Sequence, residues 1–343
     1  MIFVNKHGVV LSKSKRLFEA EAVLNPATIL HENKIYMFYR AVAKNNFSSI
    51  GLCIFKSPLE IELRFDLPVI FPENDYEEQG TEDPRIVKIE DLFYMSYCAF
   101  DGINAHGALA TSQDLKSWKK HGVMVPKVTY SIFKQMAETN QKLNEKYYRY
   151  NEHENVKERN GKKVLVWDKN VVFFPRRING KLIFLHRIKP DIQLVSIDNM
   201  NDLTTDFWQN YLMRFQDSIV LSPKYKHEIS YIGAGCPPIE TQYGWLIIYH
   251  GVFDAASGFV YCACAALLDL ENPLKEIARL PYPIFKPEFD YELKGDVNNV
   301  CFPSGAIVQN DTLYIYYGAA DKAIACASVG MQELLLELMQ NQK

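Results

Sequence analysis

Five heptads of one kind recur along this chain, and their spacing limits its fold more than any other feature. They are Lys34-Ile-Tyr-Met-Phe-Tyr-Arg40, Leu92-Phe-Tyr-Met-Ser-Tyr-Cys98, Lys181-Leu-Ile-Phe-Leu-His-Arg187, Gly244-Trp-Leu-Ile-Ile-Tyr-His250 and Thr312-Leu-Tyr-Ile-Tyr-Tyr-Gly318. Four are preceded by legible turns: Glu32-Asn33, Asn179-Gly180, Tyr243-Gly244 and Asn310-Asp311. Ahead of most copies lies a piece rich in Pro, Gly and polar residues: Asn25-Pro-Ala27, Glu82-Asp-Pro-Arg85, Lys169 to Pro175, Gly233 to Glu240 and Asn299 to Gly305. A strand of small residues follows each copy, as in Gly107-Ala-Leu-Ala-Thr-Ser112 and Ala323-Ile-Ala-Cys-Ala-Ser328. Short strands repeating every roughly 60 residues are the signature of a β-propeller. The expected fold is all-β, a five-bladed β-propeller in one domain spanning residues 1–343. A propeller brings equivalent points of every blade to one axis, so chemistry is expected where the copies end.

The chain has the material for such a fold: 48% of its residues are hydrophobic, and 20 Tyr with 20 Phe favour strands over helices. A formal charge of -3 without a basic tract argues against a nucleic-acid partner. A charged substrate would need a local cluster of side chains, not the field of the whole protein. Seven cysteines form no disulfide framework, which points to a reducing compartment. Cys262 and Cys264 share a strand face, but no second pair completes a zinc set, so no metal site is expected. No apolar h-region opens the chain and no run approaches a membrane span. The expected location is cytoplasmic, without membrane contact.

Two stretches break the rhythm. Residues 129–163 are polar, with Ile132, Met136, Leu143 and Tyr147 at helical spacing and Ser131 as a cap. This helical insertion between blades two and three is a lid over the axial pocket, a contact in a homo-oligomer, or a solvated surface helix. The tail, about 330–340, reads as a short amphipathic C-terminal helix that covers an edge.

Registered on one another, the heptads exit at Arg40, Phe100-Asp101, Arg187, His250 and Asp321. The preceding strands add Asp83, Arg85, Lys169, Asn170 and Glu240. Any one of these fits an ordinary ion pair between blades. A set recurring at one phase does not look like a hydrophobic core; it looks like an anion site beside an acid. A carboxylic acid can protonate a leaving oxygen, while Arg, Lys and His hold a phosphate. A usual glycosidase needs two carboxylates flanking the bond, whereas one Asp facing cations suits attack by phosphate. On this reading Arg40 and Asp321 contact sugar hydroxyls, and Asp83 and Arg85 contact the sugar, buttress Asp101, or lock blades together.

The segments Gly80-Thr-Glu-Asp-Pro-Arg-Ile86, Tyr97-Cys-Ala-Phe-Asp-Gly102, Phe174 to Lys181 with His186-Arg187, and Ile232 to Thr241 with Gly244 to Val252 resemble glycoside hydrolase family 130. This is the family of β-mannoside phosphorylases and β-1,2-mannosidases. The resemblance implies a β-mannoside oligosaccharide as substrate, inorganic phosphate as co-substrate and no cofactor. It implies that Asp101 is the general acid, acting through the 3-hydroxyl of the mannosyl unit while phosphate attacks the anomeric carbon with inversion. Arg187 and His250 match phosphate ligands, and Tyr261 contacts the same region. Lys169 stands where phosphorylases often carry Arg, followed by Asn170, and Tyr231 stands where one can carry Lys. The family's hydrolases lose the Arg and His ligands and use a Glu on water, for which Glu240 is the residue to watch. Two alternatives outside this reading are a glycan-binding propeller without turnover and a furanosidase with three carboxylates, drawn from Asp101, Glu240 and Asp83 or Asp321.

Overall fold

Each heptad becomes the second strand of an antiparallel sheet in a computed structural model that describes residues 2–152, 155–256 and 258–342. The first sheet runs Ala22–His31, Lys34–Ala43, Phe47–Ser57 and Glu60–Arg64. The second runs Gly80–Ile89, Leu92–Phe100, Ala105–Ser112 and Lys119–Val123, joined to the first by one parallel bridge between Ser48 and Gly80. The third holds Lys169–Phe173, Leu182–Arg187, Ile192–Ile197 and Ile219–Leu221. In the fourth, Tyr231–Ala234 and Ile239–Thr241 pair in tandem with Gly244–Ala255, followed by Gly258–Leu268 and Glu276–Arg279. The fifth has Cys301–Gln309, Thr312–Ala319 and Ala323–Gly330, and its remaining strand is Val4–Leu11 from the start of the chain. The fourth strand of each sheet was not anticipated from the repeat.

Alternation puts every second heptad residue against a neighbouring sheet. Phe38 and Ile50 pack on Ile86 and Met95, between sheets one and two. Val87 and Leu109 meet Phe173 and Phe184, between two and three. Val172 and Leu185 meet Trp245 and Ile247, between three and four; Ile248 and Ala265 meet Ile315 and Ala327, between four and five. Tyr316 and Cys326 of sheet five then meet Met37 and Val23 of sheet one. A buried aromatic such as Trp245 takes on the order of 200 Å² out of water, worth roughly 5 kcal/mol before entropy is counted.

A polar device repeats beside these cores. In four sheets the sixth heptad residue is a Tyr whose hydroxyl donates to a buried Glu on a short helical turn ahead of the sheet: Tyr39 to Glu19 (2.7 Å), Tyr97 to Glu77 (3.0 Å), Tyr249 to Glu228 (2.7 Å) and Tyr317 to Glu292 (2.7 Å). A cation from the fourth strand completes each: Arg64, Lys120, Arg279 and Lys6, at 2.8, 2.5, 3.1 and 2.8 Å. Burial without such partners would cost each carboxylate several kcal/mol. In the third sheet His186 takes the Tyr position, with Nδ1 2.8 Å from Asp168 and Nε2 2.6 Å from the Tyr211 hydroxyl.

The insertion forms helices Tyr130–Ala137 and Glu145–Asn151 and a small hairpin of Glu158–Arg159 with Lys162–Lys163; its residues 153–154 lie outside the described ones. The first helix is capped by Thr129, whose hydroxyl accepts from the Ile132 amide, and not by Ser131. Ser131 already lies inside the first turn, where its side chain cannot reach the orphan amides. A further helix, Thr205–Met213, lies within the third sheet's last connection. The tail helix is Met331–Met339, burying Leu334, Leu335 and Leu338 on sheets four and five. All seven cysteines are buried and unpaired. Among the described residues, no helix is long and apolar enough to cross a membrane.

Candidate active site

Three of the sheets' first strands carry the same irregularity. The register slips between Leu24 and Ala27, between Glu82 and Arg85, and between Lys169 and Val172. At each slip one residue takes a left-handed backbone: Asn25 (φ 48°), Asp83 (φ 49°) and Asn170 (φ 55°). Asn and Asp tolerate that region better than other residues with side chains, and bulges re-aim the side chain they carry. All three line one cavity of about 240 Å³, together with Arg40, Lys169, Arg187, Tyr261 and Asp321.

One side of the cavity is cationic. Lys169 lies with Nζ 4.6 Å from the centre of the Trp167 ring, and Lys189 lies 4.6 Å from that of Tyr231. Arg187 is 7% exposed, and its Nη1 donates to His250 Nε2 at 3.0 Å. Burial, then the charges of Arg187, Arg85 and Lys189, push the His250 imidazole well below its ordinary pKa, so the ring is neutral and accepts from the guanidinium. Gly233 pairs with His250 across the strands, and a Cβ there would sit 2.5 Å from His250 Cε1 and 2.9 Å from Arg187 Nη1. Only glycine leaves both side chains room. Among the described residues, no carboxylate stands within ion-pair distance of Arg187, and its Nε is buried without a hydrogen-bond partner. The Tyr231 and Tyr261 hydroxyls, 2.5 Å apart, close this side.

The other side is acidic. Arg40 Nη2 pairs with Glu82 at 2.7 Å, and Asn25 Nδ2 donates to Asp83 Oδ1 at 2.7 Å. Burial alone would raise the Asp83 carboxyl, but Arg40, Arg85 and Lys169 outweigh it and hold the group below its ordinary range. Asp321 goes the other way: burial first, then the charge of Asp83, push it up to about 6. Two neighbouring carboxyls are thus driven apart, one ionised and one close to exchanging its proton under mild conditions.

Four expected site residues stand outside the cavity lining. Asp101 follows the second sheet's heptad strand, where Oδ1 accepts from the amides of Ile103 (2.8 Å) and Asn104 (2.7 Å) and Oδ2 from Asn104 Nδ2 (3.1 Å). Its loop abuts the cavity wall, because the Trp167 indole donates to Ile103 O at 2.8 Å. His250 stands behind Arg187 with no exposure. Arg85 donates through Nε and Nη1 to the carbonyls of Asp83, Pro84 and Gly235, which ties sheets two and four together, while its Nη2 is buried without a hydrogen-bond partner. Glu240 is a correction. It pairs with Trp245 at the opposite end of the heptad strand from His250, and both its oxygens accept from Arg176 at 2.8 Å on a half-exposed surface. Five residues at about 3.3 Å each separate the two ends.

Sequence reasoning missed Asn25, Trp167 and Lys189 as cavity residues and treated Tyr231 only as a missing cation. Asn25 could have been found, since it holds the repeat position of Asp83 and Asn170. Lys189 lies in a turn just past the end of the Arg187 strand, where no strand periodicity marks it.

A family model described as beta-1,4-mannooligosaccharide phosphorylase matches residues 4–341. A 1,2-beta-oligomannan phosphorylase of Thermoanaerobacter sp. (strain X514) is 32% identical over 337 residues, covering 95% of this chain and 96% of that protein. A beta-1,2-mannobiose phosphorylase of the same organism is 34% identical over 335 residues, covering 92% and 93%. Among solved structures, the beta-1,2-mannobiose phosphorylase of Listeria innocua in complex with beta-1,2-mannobiose superposes with a TM-score of 0.75 at 21% identity, covering 98% and 99%.

Proposed function

Because this chain belongs to glycoside hydrolase family 130, we propose that it is an inverting phosphorylase that cleaves β-linked manno-oligosaccharides with inorganic phosphate. The observation that carries this reading is the buried Arg187 guanidinium without a carboxylate, beside Lys169 and Lys189 in one cavity. An unpaired buried cation is costly, and a phosphate dianion would remove that cost. The acidic side, Asp83, Asp321 and Arg40, then accepts and donates to the hydroxyls of the mannosyl unit. A phosphate oxygen attacks the anomeric carbon as the glycosidic C–O bond breaks. The departing oxygen takes the proton, relayed from Asp101 through the sugar's 3-hydroxyl, and inversion of a β-mannoside yields α-mannose 1-phosphate. His250 acts here through Arg187, which it holds in place.

The five sheets are read as five blades of one propeller forming a single domain. The support is the cyclic order of their cores, one to two, two to three, three to four, four to five and five to one. What counts against hydrolysis is Glu240, tied to Arg176 away from the cavity. The test is incubation with β-1,2- and β-1,4-mannobiose, each with and without phosphate. Mannose 1-phosphate is the expected product, and release of free mannose without phosphate would overturn the reading.

A further inference from the structure

We propose that Lys189, held over Tyr231 by the insertion, is a third cation of the anion site and replaces the lysine that position 231 lacks. The inference rests on the phosphorylase reading above and assigns a residue and a purpose to the insertion within it.

Arg187 ends its strand, Ile188 follows, and Lys189 comes next. Ile188 is buried in a cluster with Tyr130, Phe133 and Tyr147 of the insertion. Ile188 is pinned on that side, while the residues before and after it, Arg187 and Lys189, both line the cavity. The backbone of this segment is fastened by the same insertion. Asn151 Nδ2 donates to the Lys189 carbonyl at 2.8 Å, and the Tyr147 hydroxyl donates to Asp191 Oδ2 at 2.6 Å. Tyr150 packs its ring edge-on to Tyr231 at 5.4 Å, fixing the platform on which the lysine rests.

The cavity is therefore flanked by two lysines on aromatic rings, Lys169 on Trp167 and Lys189 on Tyr231, with Arg187 also over Tyr231 at 5.6 Å. A ring beneath an ammonium attracts it and so holds the positive charge beside the cavity. Three cations so arranged offer a tetrahedral dianion several donors from different directions. The tyrosine at 231 thus keeps a positive charge at the site by carrying a neighbour's, which a sequence read one position at a time records as a loss.

The test measures phosphorolysis of β-1,2-mannobiose against inorganic phosphate concentration. Lys189→Met is expected to raise the KM for phosphate by about 10-fold, as for one lost charge-assisted contact, and to leave the KM for mannobiose within about twofold. Lys189→Arg is expected to recover most of the loss, and Tyr231→Lys in the Lys189→Met background to recover part of it. Asn151→Ala is expected to raise the phosphate KM by roughly threefold, because the lysine's anchor is weakened and its charge is kept. If Lys189→Met does not fold, Lys189→Gln serves for the same measurement. An unchanged phosphate KM in the folded variant, with wild-type turnover still requiring phosphate, overturns the assignment of Lys189 alone. Wild-type turnover without phosphate overturns the phosphorylase reading itself.

Discussion

Sheets one, two, four and five close a buried carboxylate with a tyrosine and a Lys or Arg from the fourth strand, whereas sheet three closes Asp168 with His186 and a tyrosine from an added helix. The third sheet is also the one that carries Lys169 and Arg187 and adjoins the insertion. The comparison separates two positions of the heptad. The sixth residue is Tyr, Tyr, His, Tyr and Tyr, and in every sheet it meets a buried carboxylate. The seventh is Arg, Cys, Arg, His and Gly; Arg40 and Arg187 line the candidate site and His250 backs Arg187. What repeats is scaffold; what varies at a neighbouring, equally regular place is chemistry.

Breaking the scaffold position should cost stability most. Glu228→Ala leaves Arg279, 2% exposed, with Glu276 as its remaining counter-charge and takes the acceptor from the buried Tyr249 hydroxyl, and a loss of about 3 kcal/mol is expected in urea unfolding. Breaking the chemical position should do the reverse. Arg187→Ala is expected to lower kcat/KM about 10²–10³-fold in the presence of phosphate, roughly 3–4 kcal/mol of transition-state stabilisation, with little change in Tm. A third variant sharpens the contrast between sheets. Asp168→Ala is expected to cost about 1–3 kcal/mol, less than Glu228→Ala, because it removes a hydrogen bond to an imidazole and not a counter-charge of a permanently charged guanidinium. If Asp168→Ala proves as costly as Glu228→Ala, the two kinds of closure are equivalent.

The smallest effect concerns pH. Asp321 has its carboxyl raised to about 6 from 3.8, so the folded state binds that proton more tightly than the unfolded chain does. Wild-type stability should therefore decline as pH rises from about 4 to about 6 and level off above. Asp321→Asn lacks this decline. Its Tm should exceed the wild-type value at pH 7 by an amount worth on the order of 1–2 kcal/mol, with the difference vanishing near pH 4. The variant's kcat/KM profile should also lose its inflection near pH 6.

The heptads were legible because aromatic strands after turns leave a strong pattern, and registering them brought Arg40, Asp83, Lys169, Asn170, Arg187 and Asp321 to one place, as the cavity has them. The carboxylate closures were legible in principle: Leu17-Phe-Glu19, Asp75-Tyr-Glu77, Lys226-His-Glu228 and Asp290-Tyr-Glu292 each precede a sheet. They were overlooked because a lone Glu near an aromatic reads as surface. The fourth strands were not legible, since edges such as Glu60–Arg64 and Lys119–Val123 are only five residues long and rich in charge, too short for a pattern to stand out from a loop. Glu240 misled because Gly235-Cys-Pro-Pro238 interrupts its strand, and the register beyond a break cannot be counted from residues alone.

The strand Val4–Leu11 has a consequence for how the molecule is made. It pairs with Ala323–Gly330, and its Lys6 reaches Glu292, 286 residues along the chain. Newly synthesised protein must hold this strand without its partner until Ala323–Gly330 has emerged. Closing so long a loop is entropically costly and slow, so pairing these two strands is expected to be the late step of folding, and the exposed strand the point at which a partly made chain aggregates.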